Sequence, residues 1–169
     1  MSAEHIRSPG TLTRADTSAL CDPGEEWKNK ANGKRYRYVY NGGSTSWTIG
    51  VPVGVFLTTD TNYECSFTAA TQLTMTDGTT AVTPVAGIAL GTIATTEWGW
   101  IQVGGICDYI ITDDNVAAGS GLYVADNGVV VLPVTEPTVH GIFGVAVDAD
   151  NDTTHVCAKS LLFNCVLDF

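Results

Sequence analysis

Three aspartates at alternate positions are the residues of this chain whose types and spacing come nearest to a metal site. Asp148, Asp150 and Asp152 lie in the run DADND, and carboxylates spaced closely in a loop are ligands that calcium prefers. The EF-hand pattern fails, because its sixth position is Thr153 rather than glycine and its twelfth is Lys159 rather than glutamate. Another cation loop and a polar hairpin tip both remain open for this segment. We expect no metal and no cofactor to be required for folding.

Histidines and nucleophiles do not form a catalytic pattern in this chain. The three histidines are dispersed, at positions 5, 140 and 155, whereas acid–base sites need such groups close together. The serine at Gly119-Ser-Gly121 lacks the spacing of a nucleophile elbow, and no phosphate-binding glycine loop or zinc-protease motif occurs. The sequence therefore predicts a protein that is not an enzyme.

Five cysteines are present without the spacing of a metal or disulfide framework, at positions 21, 65, 107, 157 and 165. Their number is odd and no two of them are separated by two residues, as zinc ligands commonly are. We interpret them as small apolar side chains that carry thiols.

Charge is sparse and unevenly distributed. Charged residues make up 15% of the chain, against roughly 25% in an average domain. Residues 1–37 contain seven basic and five acidic residues, a net charge of +2, whereas residues 38–169 contain one basic and thirteen acidic residues, a net charge of −12. An acidic body is a poor partner for nucleic acid, which attracts basic surfaces. We therefore expect no nucleic-acid partner.

Membrane and export segments are also absent from the sequence pattern. Charged residues interrupt positions 1–20, so no apolar signal core is present there. No apolar run reaches the roughly 20 residues that span a bilayer. We expect no membrane partner, and synthesis and assembly in a cytoplasm.

Alternating patterns predict strands throughout the region from residue 27 onward. Residues 35–40 place three tyrosines on one face, residues 85–93 form an apolar run of small side chains, and residues 98–103 place two tryptophans on one face. Turn signals such as Asn-Gly-Gly and Asp-Gly separate further short segments. The pattern predicts an all-β fold, with a β-sandwich or jelly-roll or barrel-like body.

Aromatic residues on these strands have more than one interpretation. Tyr36, Tyr38, Trp98 and Trp100 recur at alternate positions, as side chains of a core or of a subunit interface do. The same rings could form a flat platform on which sugars stack. We predict that the four residues belong to the core or to an oligomer interface, and a carbohydrate- or receptor-binding module remains the alternative.

Residues 1–26 have no periodicity and contain two Pro-Gly turns. We predict an extended N-terminal arm over 1–26 and a single β body over 27–169. The arm is expected to be mobile in the free protein, so that its removal leaves the body folded, and to become ordered on a partner. The residues predicted to contact that partner are the arm's aliphatic and arginine side chains, Ile6, Arg7, Leu12, Arg14 and Leu20.

Several sequence segments of the body resemble those of the small structural proteins of tailed bacteriophages. These are WKNKANGKRYRYVY at 27–40, VAGIALGTI at 85–93, EWGWIQVGGI at 97–106, VAAGSGLYVAD at 116–126 and GVAVD at 144–148. In order and composition they are similar to capsid decoration, or cement, proteins, which sit on the outer face of the head shell. The resemblance covers most of residues 27–163 and does not include the arm.

The resemblance implies a virion protein that stabilises the capsid, with a head-fibre or tail-associated binding module as the alternative. Its partners would be the major capsid protein and other copies of itself, in a homotrimer that bridges neighbouring capsomers on the outer capsid surface. Such a protein would be assembled in the cytoplasm of a bacterial host. An extended arm is suited to this role, because it can add hydrogen bonds to a partner's sheet edge, and many copies bind with avidity.

Overall fold

A computed structural model describes residues 12–55, 64–66, 75–76, 81–82, 85–112, 116–124, 130–131, 142–149, 156–157 and 159–162. Every regular element in these residues is a β-strand, which confirms the all-β prediction. No helix of sufficient length and apolarity to cross a membrane occurs among them.

Fourteen strands occur in the residues that the structure describes. They are β1 (Glu26–Lys28), β2 (Arg35–Asn41), β3 (Pro52–Val55), β4 (Glu64–Ser66), β5 (Met75–Thr76), β6 (Ala81–Val82), β7 (Val85–Ala89), β8 (Trp98–Cys107), β9 (Ile110–Ile111), β10 (Gly121–Val124), β11 (Val130–Val131), β12 (Gly144–Ala146), β13 (Val156–Cys157) and β14 (Ser160–Leu162).

Five strands form a closed ring of pairings. β2 pairs with β4, β4 with β3, β3 with β7, β7 with β8, and β8 again with β2. The β2–β4 pair is parallel and the other four pairs are antiparallel. A ring of this kind leaves neither β2 nor β8 as a free sheet edge, so this part of the body is barrel-like.

β8 continues beyond the barrel into a second group of strands. Its last residues pair with β14, which pairs with β12, and β12 pairs with β10 and β10 with β11. The change occurs at a bulge, because Arg35 lies opposite Gly104 while Tyr36 lies opposite Gln102. The extra residue bends the strand, so that one ten-residue element serves two sheets.

The main core fills the barrel and extends under the second sheet. Ile101 and Val103 of β8 are fully buried, as are Val39 of β2 and Ile88 of β7, and Trp47 packs with them. These strand residues alternate with side chains that point to the opposite face, as the pleat requires. β2 and β8 therefore carry large side chains on both faces, and both faces must be covered.

Asn41 ends β2 and holds the turn that the sequence predicts after it. Its buried side-chain amide donates to the carbonyl oxygens of Thr45, at 3.0 Å, and Ile93, at 3.1 Å, and its Oδ1 accepts from the Gly43 amide at 3.1 Å. A buried amide with its donors and acceptor satisfied fixes the local chain path. This turn leads the chain toward Trp47 and the barrel core.

Candidate interaction site

An aromatic layer lies on the outer face of the β2–β8 pair. Tyr38 is directly opposite Trp100, and Tyr40 is opposite Trp98, so the rings project to the same side. The centroids of Tyr38 and Trp100 are 5.3 Å apart, those of Tyr40 and Trp98 are 4.9 Å apart, and Trp27 of β1 stacks on Tyr36 at 5.3 Å. We refer to these six rings as the aromatic layer.

The segment from Leu12 to Asp22, called here the leader, covers the aromatic layer. Asp16 and Trp98 exchange two backbone hydrogen bonds, each of 2.8 Å, which add one residue pair to the sheet. Leu12 is buried with Tyr36, Tyr38 and Trp100 in a second apolar cluster. The backbone oxygen of Thr13 lies 2.3 Å from where a Cβ at Gly91 would stand, so only glycine permits this approach.

Tyr38 and Asp16 connect the leader to the sheet through side chains. The Tyr38 hydroxyl donates to Asp16 Oδ2 at 3.0 Å and accepts from the Leu20 amide at 3.2 Å. Arg14 Nε lies 3.3 Å from the other oxygen of the buried Asp16 carboxylate. Burial, and then the adjacent Asp16 carboxylate, raise the pKa of Tyr38 to about 12 against the opposing effect of the Leu20 amide. The hydroxyl therefore stays protonated well into the alkaline range.

We predict that this hydroxyl makes stability fall steeply above pH 10. In the unfolded chain a tyrosine ionises near pH 10, whereas Tyr38 in the folded chain keeps its proton to about pH 12. Its contribution is complete below pH 10 and is lost as the pH rises toward 12, by roughly 2–3 kcal/mol. Urea unfolding at pH 8, 10 and 11 should show a smaller loss for Tyr38→Phe than for the wild type. Equal losses in the two proteins would contradict the prediction.

The residues predicted to form a partner-binding arm differ in how exposed they are and in what they contact. Leu12 is buried on the chain's own body, Arg14 contacts Asp16, and Leu20 is 48% exposed. Ile6 and Arg7 lie outside the described residues. The contacts of Leu12 and Asp16 with the body count against the expectation that removal of the arm leaves the body folded. The physical reason is the aromatic layer, which would be exposed to water without this cover.

The four aromatic residues assigned to the core or an interface lie within the chain's own packing. Tyr36, Tyr38 and Trp100 are buried, and Trp98 is half-buried against them. With the leader in place, these rings do not present a flat, open surface. The signal for this arrangement is in the sequence, because β8 has large apolar residues at even positions, such as Trp100, and at odd positions, such as Ile101.

A cleft of about 220 Å³ lies beside the leader. Its walls include Leu12, Ile49, Leu90 and Tyr109, and the ion pair between Lys34 and Asp108 adjoins it. Typical small-molecule sites occupy roughly 300–1,000 Å³. The cleft is smaller than these sites and is largely apolar.

Groups that could perform chemistry do not converge in the described part of the chain. No cluster of three or more histidine, cysteine or acidic side chains occurs there. Of the alternate aspartates, Asp148 lies 3.9 Å from Lys159, while Asp150 and Asp152 fall outside the described residues. All three histidines also fall outside them. The cation-loop and hairpin-tip interpretations of this segment both stay open.

The second sheet exposes an apolar surface. Ile106 of β8 is opposite Leu161 of β14, and Leu161 is opposite Val145 of β12, so the three side chains lie on one face. Val147 follows two residues after Val145, and its amide donates to the Lys159 carbonyl oxygen at 2.9 Å. Leu161 is 41% exposed and Val147 43% exposed. We call Ile106, Val145, Val147 and Leu161 the apolar row.

The opposite face of the same strands is buried, which makes the apolar row rigid. Ala146, Ser160 and Leu162 alternate with the exposed positions and are buried, and Ala146 and Leu162 belong to the main core. The row is therefore carried by strands that are fixed from beneath. A fixed surface loses little entropy when it binds. Sequence reasoning did not identify this row, because its members come from three strands that are far apart in the chain.

Comparisons with known proteins give a structural likeness but no sequence match. No family model matches the chain, and no curated protein matches it. The crystal structure of the N base of the head fiber gp8.5 in bacteriophage phi29 is similar at a TM-score of 0.47 and 12% sequence identity, over 79% of this chain and 98% of that chain.

Proposed function

We propose that this chain is a non-enzymatic structural protein of a phage virion, a decoration protein that binds the outer face of the major capsid shell. The observation that carries the proposal is the apolar row, an exposed hydrophobic surface on a sheet that is rigid from beneath. The resemblance of the body's sequence to capsid decoration proteins supplies the identity of the partner.

The apolar row has the properties of a protein-binding surface. Covering the exposed parts of Leu161 and Val147 would contribute about 1 kcal/mol each, which is part of the roughly 1.5–3 kcal/mol for fully burying such side chains. That is a modest gain for one copy. A capsid presents many equivalent positions, so several linked contacts yield a much larger total.

Charge favours the shell over a second copy as the partner of the row. A symmetric contact through the row would bring together two bodies that each carry a net charge of −12 over residues 38–169. Like charges that face each other across an interface oppose association. A different protein with a less acidic surface avoids this repulsion, as a capsid shell could.

The proposal extends to how the shell is stabilised. Copies would associate as a homotrimer and bridge neighbouring capsomers, so that separating two capsomers requires breaking decoration contacts. Ile6 and Arg7, which precede the leader, remain proposed contacts to the major capsid protein. The covered position of Tyr36, Tyr38 and Trp100 gives no support to the alternative function of sugar binding through these rings.

Co-sedimentation with empty heads of the parent phage tests this proposal. The purified protein should pellet with the heads, saturate at a fixed number of copies per head, and raise the temperature at which the heads release their contents. Serum albumin provides the control for trapping in the pellet. Failure to bind the heads at micromolar concentration would contradict the proposed function.

A further inference from the structure

The hairpin formed by β1 and β2 concentrates positive charge on an otherwise acidic molecule. Residues 28–37 contain five basic residues and no acidic one. The turn between the strands is well defined, because the Gly33 amide donates to the Asn29 carbonyl oxygen at 2.8 Å and the Asn29 amide donates to the Lys34 carbonyl oxygen at 2.9 Å. The basic side chains are thus held on an ordered element.

Two of the five basic residues have acidic partners within the chain. Lys34 pairs with Asp108, and Arg37 pairs with Glu26. Among the residues that the structure describes, Lys28, Lys30 and Arg35 form no ion pair. Three positive charges therefore remain uncompensated at this end of the molecule.

The register of the hairpin places two of these charges side by side. Lys28 lies directly opposite Arg35, and like charges in that position destabilise a strand pair. The Arg35 side chain packs over Gly104, with its Nε 3.4 Å from where a Cβ at Gly104 would stand. An external carboxylate near Lys28 and Arg35 would relieve the repulsion between the two cations.

We propose that this basic hairpin docks on the acidic body of a second copy of the chain. The partner chemistry is present in the same molecule, because residues 38–169 carry a net charge of −12. The inference rests on the self-association that the proposed function includes, and it identifies the surface that is used. Lys28 and Arg35 would receive carboxylates from the neighbouring copy, with Lys30 adding to the attraction.

Such a contact joins two different surfaces, so it is head-to-tail and can close into a ring. It also leaves the apolar row of every copy exposed for another protein. Near physiological ionic strength charges interact over about 8 Å. At this ionic strength the basic hairpin still attracts the carboxylates that it contacts on the neighbouring copy. The repulsion between more distant parts of the two acidic bodies is screened by salt.

Sedimentation velocity across a range of protein concentrations tests the inference without any capsid. The wild type should self-associate in 150 mM NaCl, with a dissociation constant at least tenfold higher in 500 mM NaCl. Lys28→Glu should raise the dissociation constant at least tenfold in 150 mM NaCl. Lys28 is exposed, so the variant should fold, and its thermal midpoint verifies this.

Lys159→Glu is the matched control, because it causes the same change in net charge at the only basic residue outside residues 1–37. It should leave the dissociation constant within threefold of the wild type. Equal weakening by both variants would indicate a general charge effect and overturn the inference. A monomer throughout, or an oligomer that Lys28→Glu does not affect, would also overturn it. Binding to heads is measured separately, so neither result by itself refutes capsid decoration.

Discussion

Deletion of residues 2–24 is expected to destabilise the β body by at least about 3 kcal/mol. The deletion removes the cover from Tyr36, Tyr38 and Trp100, which are buried beneath the leader. Aromatic side chains bury roughly 150–250 Å² each, and losing a single buried aromatic ring costs about 3–5 kcal/mol. The total stability of a domain is only about 5–15 kcal/mol, so part of the population should unfold at 37 °C.

Urea unfolding monitored by tryptophan emission measures this effect. Deletion of residues 2–11 is the control, because it leaves in place every leader contact described above. Asp16→Asn provides a milder variant that should fold, and we expect it to cost about 1–2 kcal/mol through the Tyr38 and Arg14 contacts. The leader's structural role would be refuted if removing residues 2–24 changed the unfolding free energy by less than about 0.5 kcal/mol.

Leu161→Asp is expected to weaken binding to phage heads at least thirtyfold. Leu161 is at the centre of the apolar row, with Ile106 on one side and Val145 on the other. A carboxylate there would have to lose its water in an apolar contact without a partner, which costs several kcal/mol. A loss of only about 2 kcal/mol, typical of a binding hot spot, corresponds to roughly a thirtyfold change in affinity.

Ile49→Asp is the matched control for this substitution. Ile49 is exposed to a similar degree, 49% against 41% for Leu161, but it lies in the turn before β3 and not in the second sheet. Both variants should keep a thermal midpoint near that of the wild type. Only Leu161→Asp should lose co-sedimentation with heads. Equal loss in both variants, or in neither, would contradict the role of the row.

The sequence predicts much of the strand pattern, because alternation is a local property. The tyrosine stripe at 35–40 corresponds to β2, and the apolar run from residue 85 corresponds to β7. The strand predicted at 98–103 is longer in the structure, since β8 runs from Trp98 to Cys107. Gly104 and Gly105 accompany a bulge and do not end the strand, and glycine is compatible with a bulge or a turn.

The leader's position was not predictable from its own residues. It attaches through one backbone pair at Asp16 and a few side chains, so it leaves no periodic pattern. The sheet that the leader covers gave the better signal, because Trp100 and Ile101 are adjacent residues of β8 and both are large and apolar. A strand that is apolar on both faces requires cover on both faces.

The apolar row depends on strand register, which one sequence does not determine. Val145 and Leu161 are 16 residues apart, and Ile106 is 55 residues from Leu161. A shift of one residue in either pairing would bury these side chains and expose their neighbours. Only the three-dimensional pairing brings them onto one exposed face.

Electron cryomicroscopy of heads saturated with the protein tests the central claim most directly. The reconstruction should place the second sheet against the outer face of the shell, with Leu161 and Val147 within contact distance of the major capsid protein. It should leave the opposite side of the barrel toward solvent or toward neighbouring copies. A map in which the apolar row faces solvent while another surface contacts the shell would contradict the account.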